Sequence, residues 1–467
     1  MRQNVSFSIG NLAIIEKADA DFNFFKDVFK GVEGKAKSFI PSVKLLIYNR
    51  LGDCLSINRL GEFTPKELFS YLGSEEPISD RTNNRTLERL GIKAPMILIN
   101  YQWLIKQYDL ASKIQHVDFS SSYFIGEQCK MGKLGYSRDH RPGNLQITYG
   151  ISTGTNKIPT ALTIQNGNVV DKEHMATMLK LCSKVLEAGS ILIFDCGANT
   201  KKNKEKIISL GFDYLTLKPK KKSTYKVFIQ EYLRQKKEKT LVEVKIGDQV
   251  YLCAKCKRGG EFHYIFFSKK TKSEQMRIKH SKLKRKLEKN DMLLKKVKRG
   301  KEFKPIICSE GWITTHGNLQ KCLGEIPNPF ITGLEGYFIL ESSRDMEPQM
   351  AMELYKDRDK SEKLIRDMKE GAEIRPIRHW STNAVKGYLL LIFLTNALIN
   401  LTLFKAKNHA VSNLKLLKKY IGNLTLAVMY PKNAFRVEIL TNNSVEMRAL
   451  FGDFLKKYGD CDLDLRW

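Results

Sequence analysis

The sequence has few acidic residues relative to basic ones: 50 Asp and Glu stand against 79 Lys and Arg, a formal net charge of +29. Solubility needs far less charge, so the excess predicts a polyanionic partner, and nucleic acid is favoured over an anionic membrane surface. The chain also lacks an internal repeat and a low-complexity linker, which excludes a repeat array. Its 42% apolar content is typical of a globular protein, and 467 residues suffice for two or three domains.

Cysteine is too scattered to form a disulfide framework, because nine cysteines, an odd number, are spread along the whole chain. This usage is typical of a reducing compartment. The opening stretch, MRQNVSFSIGNLAIIEKADADF, has no apolar core of signal-peptide length before its acidic residues begin. We therefore expect a cytoplasmic, nucleoid-associated protein.

Long apolar runs are also rare. The run at 387–404, GYLLLIFLTNALINLTLF, has 18 uncharged residues and just reaches the length of a membrane span. It contains four Thr and Asn residues, and no second run of this kind follows. We favour a buried core helix over a membrane helix, and we expect no membrane partner.

Residues 1–110 have the pattern of short helices joined by turns. One polar helix, SDRTNNRTLER, begins at Ser79 and is predicted to stop at Gly91. Arg81, Arg85 and Arg89 recur every four residues along it. This spacing suits a helix-turn-helix-like DNA reader, and it suits a small helical packing domain equally well.

Two acidic residues accompany strand-like apolar runs. Ile114–Phe119 is predicted to be a strand with Asp118 near its end, and Asp195 comes directly after the continuous apolar run Ile191–Phe194. Charged residues at the ends of buried strands are common catalytic positions in α/β sheets. The loop GYSRDHRPGN, which holds Asp139, could also form a site, although a polar turn is favoured there.

A third acid lies on a predicted late helix that begins at Glu347 and Pro348. Tyr355, Arg358, Glu362 and Lys369 fall within about 60° of one another and form a stripe about 21 Å long. The stripe offers one carboxylate, with a pKa expected to be depressed by neighbouring cations, and three groups that can bind phosphate. The alternative is a solvated charged face.

Asp118, Asp195 and Glu362 together could hold two divalent cations. Such ions activate a water molecule or a 3′-hydroxyl and stabilise the leaving oxygen in phosphoryl transfer. Magnesium prefers a few carboxylates combined with substrate oxygens, and three acids and a phosphate would supply this set.

The segment between the second and third acids is strongly basic. Residues 269–304 carry sixteen Lys or Arg and four acids in a probable helix, which favours contact with DNA. Strands with a turn at Gly259-Gly260 precede it. Cys253 and Cys256 form a CxxC there, and other possible zinc ligands follow: His263, Cys308 and Cys322. Ordinary strand packing is favoured over a zinc site, because no second CxxC or HxxxH is present.

At this point the sequence resembles the DDE transposases of prokaryotic insertion sequences, which share the RNase H-like fold. The spacing Tyr355-x2-Arg358-x3-Glu362-x6-Lys369 is the Y-(2)-R-(3)-E-(6)-K signature of the group with a β-rich insertion before the glutamate. GYSRDHRPG after the first Asp, FDCG at the second, and RPIRHW after the Lys agree with it.

The resemblance implies an α/β fold: an RNase H-like catalytic core interrupted by a β-rich basic insertion, with a helical N-terminal domain. Five segments are predicted. They are a DNA-binding or accessory domain (1–110), a first core segment (111–217), the insertion (218–335), a second core segment (336–410) and a C-terminal helical tail (411–467).

The resemblance also implies residue roles. Asp118, Asp195 and Glu362 would be the catalytic residues and would bind two Mg²⁺ or Mn²⁺ ions. The phosphates of double-stranded DNA, at the element ends and the target, would be bound by Tyr355, Arg358 and Lys369. A homodimer is expected in the synaptic complex, and Trp312 could hold an extruded base. A nuclease without strand transfer and a non-catalytic DNA-binding regulator are the alternatives.

Overall fold

The computed structural model describes residues 4–34, 37–126, 128–297, 328, 330–406, 414–430 and 436–458. Cys308, Trp312 and Cys322, for which the sequence suggests roles, lie outside the described residues. Helices and strands are mixed along the chain, so the prediction of an α/β protein is confirmed. The chain divides into two compact units, one made of Met1–Asp213 with Asp357–Trp467 and the other of Tyr214–Lys356.

The described strands are β1 Val5–Ser8, β2 Ile114–Tyr123, β3 Gln146–Gly154, β4 Pro159–Asn166, β5 Ile191–Phe194, β6 Asp213–Leu217, β7 Val242–Ile246, β8 Gln249–Arg258, β9 Glu261–Phe267, β10 Tyr337–Ser342, β11 Thr425–Met429 and β12 Val437–Thr441. The described helices are α1 Gly10–Phe22, α2 Phe24–Val28, α3 Phe39–Leu51, α4 Leu60–Phe63, α5 Lys66–Tyr71, α6 Asp80–Ile92, α7 Ala94–Gln107, α8 Asp171–Val185, α9 Lys201–Ser209, α10 Lys222–Lys237, α11 Lys269–Val297, α12 Pro348–Lys356, α13 Asp359–Arg366, α14 Thr382–Ala406, α15 Leu414–Asn423 and α16 Val445–Phe451.

The sheet strands of the first unit run in the order β4-β3-β2-β5. β2 pairs antiparallel with β3 and parallel with β5, so the pairing is mixed. Every residue of β3 is buried, because helices α8 and α13 both pack against this strand. Such burial is typical of a continuous apolar run like that of β5, whereas β3 is buried although it contains Gln146, Thr148, Ser152 and Thr153.

Helix α14 contains the long uncharged run, and it is the one described helix long and apolar enough to cross a membrane by length and composition. In the structure 83% of its most apolar window is buried inside the unit. Helix α6 crosses it closely: a Cβ at Gly91 would lie 1.8 Å from the Asn383 carbonyl oxygen, and one at Gly387 would lie 2.0 Å from the Leu87 oxygen. The prediction that Gly91 ends α6 is therefore wrong, since the helix continues to Ile92 and the glycine permits the crossing.

The three arginines of α6 do not share one environment. Ser79 caps the helix as predicted, because its hydroxyl accepts a hydrogen bond from the Thr82 amide. Arg81 and Arg85 are exposed. Arg89 is half-buried and lies over the Phe39 ring at 5.2 Å. Arg81 and Arg85 therefore remain available to a partner, while Arg89 contributes to packing.

A small antiparallel sheet joins the beginning and the end of the described chain. Its order is β1-β11-β12, with Val5 opposite Val428. The prediction of a helical tail at 411–467 was therefore incomplete, because β11 and β12 are strands within it. Their sequences are only five residues long, which gives little periodicity from which to recognise a strand.

In the second unit the strands run in the order β6-β10-β9-β8-β7, and each neighbouring pair is antiparallel. Helix α10 packs on this sheet through a cluster of buried residues: Tyr225, Phe228, Tyr232, Ala254, Ile265, Leu334 and Ile339. Cys256 packs against the same cluster, whereas Cys253, three residues earlier on β8, faces the opposite side of the strand. The two cysteines therefore cannot bind one zinc ion together.

The second unit is larger than the predicted insertion. It includes β10 and α12, which the sequence placed in the second core segment at 336–410. The reason is that β10 pairs along its whole length with β9, a strand of the basic segment. The five predicted domains themselves stay a prediction.

Candidate active site

The register of two parallel strands brings two aspartates to neighbouring positions. Val117 on β2 lies opposite Phe194 on β5, so the next residues are Asp118 and Asp195. Asp118 lies in the middle of β2 rather than near its end as predicted, because the strand continues to Tyr123. Asp195 directly follows its strand as predicted, and its Oδ1 accepts a hydrogen bond from the Cys196 amide at 2.7 Å.

The turn after Asp195 needs a glycine. A Cβ at Gly197 would lie 2.5 Å from Asp171 Oδ2. The other oxygen of Asp171 accepts a hydrogen bond from Arg138 Nη2 at 2.5 Å. The FDCG sequence therefore lets the start of α8 and an arginine of the GYSRDHRPG loop approach the second aspartate.

The predicted late helix is interrupted. Helix α12 ends at Lys356, α13 begins at Asp359, and a π-helical turn follows at Asp367–Gly371. The prediction of one continuous stripe was therefore wrong: Tyr355 lies on α12 in the second unit and Lys369 lies in the π turn. Arg358 and Glu362 remain one helical turn apart.

The new helix start has a local cause. The Lys360 amide donates to the Asp357 carbonyl at 2.9 Å, and the Lys360 Nζ contacts Asp357 Oδ2 at 2.7 Å. The Ser361 and Glu362 amides both donate to the Arg358 carbonyl. The backbone of Arg358 therefore caps α13 and lies one helical turn before Glu362.

The three predicted acids converge on Arg358. Its Nη2 lies 2.5 Å from Glu362 Oε1, and its Nη1 lies 3.8 Å from Asp118 Oδ1 and 3.9 Å from Asp195 Oδ2. The side chain of Arg358 is 16% exposed, and those of Asp118, Asp195 and Glu362 are 20%, 45% and 42% exposed. Acids from three distant stretches of the chain thus form one solvent-accessible triad around a single cation.

Burial dominates the ionisation of the first aspartate. It raises the pKa of Asp118 to about 6, although the Arg358 guanidinium and the Phe119 amide both oppose the rise. The Phe119 amide donates to Asp118 Oδ1 at 3.0 Å. Burial therefore makes Asp118 hold a proton more readily than an ordinary aspartate does.

Lys369 does not point towards this triad in the described contacts. Its Nζ donates to Asp139 Oδ1 at 2.8 Å, and Arg375 Nη1 donates to the same oxygen at 2.7 Å. The Tyr123 amide donates to the other oxygen at 3.2 Å. Burial lowers the pKa of Lys369, while Asp139 opposes that change. The role of Lys369 in phosphate binding stays a prediction.

The sequence did not predict the contacts of Asp139 with distant cations. Its loop was predicted to be an ordinary turn, yet its carboxylate is only 1% exposed and joins two cations from a segment 230 or more residues later. The available signal was its place in RDHRPG between two arginines. Nothing local in that pattern indicates its partners, because they are distant in the chain.

A second acidic cluster lies in the second unit. His263 Nε2 is 3.3 Å from Glu341 Oε1 and 3.8 Å from Glu261 Oε2, and these ligand atoms all lie within 4.8 Å of one another. Lys218 Nζ pairs with Glu341, and the Tyr214 hydroxyl donates to Glu261 at 2.6 Å. Sequence reasoning did not find this cluster.

The chemistry of the second cluster fits a metal poorly. Lys218 already provides a cation to Glu341, whose side chain is 1% exposed. His263 Nδ1 has no hydrogen-bond partner among the described residues, whereas a metal-bound histidine usually has its other nitrogen oriented by one. We therefore interpret this cluster as a closed ionic network.

Helix α11 carries the most basic surface of the second unit. Its exposed basic side chains, among the residues that the structure describes, are Lys269, Lys270, Lys272, Arg277, Lys282, Lys284 and Arg285. Lys279 instead pairs with the buried Glu335, just before β10. The other seven basic side chains are left exposed along the described length of α11.

Comparison with known proteins identifies a family. The family model of the transposase DDE domain matches residues 113–398, more than half of the chain, and this range includes Asp118, Asp195 and Glu362. A solved structure described as the cryo-EM structure of a piggyBac transposase synaptic complex with hairpin DNA is similar to this chain. The similarity covers 90% of this chain and 82% of that chain, with 11% sequence identity and a TM-score of 0.43. No curated protein matches the chain.

Proposed function

Because the chain belongs to the transposase DDE domain family, we propose that it is the transposase of a prokaryotic insertion sequence. It binds the terminal inverted repeats, cleaves DNA by phosphoryl transfer with two divalent ions, and joins the 3′-hydroxyl ends to target DNA. It belongs to the group with the Y-(2)-R-(3)-E-(6)-K signature, and its core is RNase H-like with a β-rich insertion. It acts in the cytoplasm, at the nucleoid, as a homodimer in the synaptic complex.

The convergence of Asp118, Asp195 and Glu362 on Arg358 carries this proposal. A guanidinium surrounded by three carboxylates stands in for a cation, so the donor set suits a hard metal such as Mg²⁺ or Mn²⁺. The three carboxylates would hold the ions. Bound metal would activate the attacking oxygen and stabilise the leaving one.

The charge distribution supports double-stranded DNA as the partner. Helix α11 carries seven exposed basic side chains among the described residues, and α6 carries the exposed Arg81 and Arg85. Phosphate contacts of this kind position DNA without reading its sequence. The net charge of +29 predicts that binding weakens steeply with salt.

The test uses the purified protein, Mg²⁺ and DNA that carries the element's flanking ends, with cleavage and joining products resolved separately. We expect wild-type protein to cleave and join, and Glu362→Gln to lose both by at least about 10³-fold, because a metal ligand is removed. Asp359→Asn is the matched control, since Asp359 lies on the same helix and pairs with Lys363 at 2.6 Å.

Either of two results would contradict the proposal and favour an alternative function. Cleavage without joining would indicate a metal-dependent nuclease. Tight DNA binding without metal-dependent chemistry in the wild type would indicate a DNA-binding regulator derived from a transposase.

A further inference from the structure

Arg358 and a divalent cation would need the same carboxylate oxygens. Arg358 Nη1 lies within 4 Å of one oxygen from each of Asp118 and Asp195, and Nη2 is within hydrogen-bond distance of Glu362. A metal ion bound by these three residues would place its positive charge beside the guanidinium that now neutralises the carboxylates. Like charges so close repel strongly, so both cations cannot be held there at full strength.

Arg358 can leave this position while most of the charge that it leaves behind stays accessible to water, since Asp118 alone of its three partners is as little as 20% exposed. Two of its three partners, Asp195 and Glu362, are more than 40% exposed, so water can solvate them once the guanidinium moves. Arg358 also lies at the break between α12 and α13, where the helix hydrogen bonds restart. The Arg358 side chain is 16% exposed and borders the more exposed Asp195 and Glu362 carboxylates, so solvent reaches one side of it.

A DNA phosphate is a suitable competing partner for this guanidinium. Arginine binds phosphate through two parallel hydrogen bonds, as it binds a carboxylate. Arg358 is therefore able to exchange a carboxylate partner for a backbone phosphate delivered to the site.

We infer that Arg358 is the exchangeable counter-ion of the triad, which a DNA phosphate draws away so that the carboxylates bind a divalent cation tightly only when DNA is present. This inference rests on the proposed function, because it assumes that the triad holds metal and meets DNA. It makes Arg358 a coupling residue: without DNA it neutralises the acids, and with DNA it neutralises a phosphate.

Coupling between two ligands is reciprocal. If DNA raises the affinity for Mn²⁺ by a given factor, Mn²⁺ raises the affinity for DNA by the same factor. Typical couplings are about 5- to 150-fold. Removing Arg358 abolishes the part of the coupling that arises from its exchange, and it leaves the part that arises from direct attraction between Mn²⁺ and phosphate.

The experiment measures Mn²⁺ binding rather than catalysis. Free Mn²⁺ is followed by electron paramagnetic resonance at constant ionic strength, with full-length protein, with and without a short duplex of unrelated sequence. The proteins are wild type, Arg358→Gln, and the control Lys363→Gln, which removes one positive charge from the same helix away from the triad. Fluorescence anisotropy of the labelled duplex gives the reciprocal measurement.

We expect Arg358→Gln without DNA to bind Mn²⁺ about tenfold more tightly than wild type, and the duplex to tighten Mn²⁺ binding less in this variant than in wild type. Lys363→Gln should match wild type. Equal or weaker Mn²⁺ binding by Arg358→Gln, or undiminished coupling to DNA, would overturn the inference.

A second variant guards against misfolding. If circular dichroism shows that Arg358→Gln is unfolded, Arg358→Lys is used, since lysine keeps the charge but lacks the fork that spans several carboxylates. It should tighten Mn²⁺ binding by a smaller factor, and unchanged or weaker binding would again contradict the inference. The unrelated duplex makes the result independent of element-end cleavage, so the inference can fail while the proposed function stands.

Discussion

The two acidic clusters of this protein each contain a cation from the chain, but they differ in burial. In the first unit Arg358 lies among three carboxylates, two of which are nearly half exposed. In the second unit Lys218 pairs with Glu341 beside His263, and both of these partners are almost fully buried. We therefore expect the exposure of the carboxylates, rather than their number, to decide whether the neighbouring cation can be exchanged.

The physical reason is the penalty for a lone buried charge. Removing one partner of a buried ion pair leaves the other without solvation, and this costs about 3–5 kcal/mol. Removing one partner of an exposed pair changes stability little, because water and salt replace it. The Lys218 cluster therefore has the character of a structural element and the Arg358 triad that of a functional site.

The largest expected effect is on Lys218. Lys218→Met removes the cation from the buried Glu341, and we expect the free energy of unfolding to fall by about 3–5 kcal/mol. Urea denaturation of the full chain measures it. Lys222→Met, an exposed lysine of the same unit, is the control and should change stability by less than about 0.5 kcal/mol. If Lys218→Met lowered the free energy of unfolding by less than about 1 kcal/mol, the Lys218 pair would contribute no more to stability than an exposed ion pair does.

Asp139 should give the next largest effect, because its cluster combines a buried carboxylate with a partly exposed cation. Asp139→Asn leaves Lys369 and Arg375 without their shared anion. We expect the free energy of unfolding to fall by about 2 kcal/mol rather than by about 3–5 kcal/mol. The loss is smaller because Arg375 also lies 3.5 Å from Glu370 and has access to water.

The measurement for Asp139 is again urea denaturation, with Asp359→Asn as the surface control. A loss no larger than that of the control would show that the Asp139 cluster is not structural. In that case the sequence-based preference for an ordinary turn would be the better description of this loop.

The sequence predicted the features of the site that are local. The strand-like segment around Asp118 indicated β2, and the apolar run before Asp195 indicated β5. The four-residue spacing of Arg358 and Glu362 indicated their contact across one helical turn. The position of both aspartates beside each other depends on the parallel register of two strands. Periodicity within one strand carries no information about that register.

Two predictions about helix boundaries failed for different reasons. The break between α12 and α13 lies in a run of charged residues that all tolerate helices, so propensity gave no sign of it. Gly91 was predicted to end α6 because glycine is common after helices, but a helix from the other end of the chain requires it. A tertiary contact that the local sequence does not reveal decided the Gly91 case, whereas the helix break is stabilised by the local contacts of Lys360 with Asp357.

Protonation of Asp118 should weaken Mn²⁺ binding to the triad at lower pH. Burial raises its pKa to about 6, so the carboxylate becomes protonated below that value. Because a proton competes with a cation for this ligand, Mn²⁺ affinity should fall by about tenfold per pH unit below pH 6. Electron paramagnetic resonance at a series of pH values on either side of that pKa would show this, and Asp118→Asn should remove the dependence.

The contribution of Asp118 to the stability of the native state should change with pH in the direction opposite to Mn²⁺ affinity. A carboxyl group whose pKa is raised from 3.8 by folding stabilises the native state fully below the unfolded pKa, and this contribution disappears as pH rises through about 6. Metal binding and the intrinsic stability at Asp118 should therefore change in opposite directions over this range. Parallel changes would mean that another group controls Mn²⁺ binding.

The smallest effect should come from Arg358. Arg358→Gln removes the cation from a triad in which two of the three carboxylates are more than 40% exposed, so we expect the free energy of unfolding to change by no more than about 1 kcal/mol. Urea denaturation under the conditions used for Lys218→Met measures both variants on one scale. A loss as large as that for Lys218→Met would show that the triad needs its arginine for folding. The Arg358 triad would then be a structural ion pair like the Lys218 cluster, and carboxylate exposure would not distinguish the two.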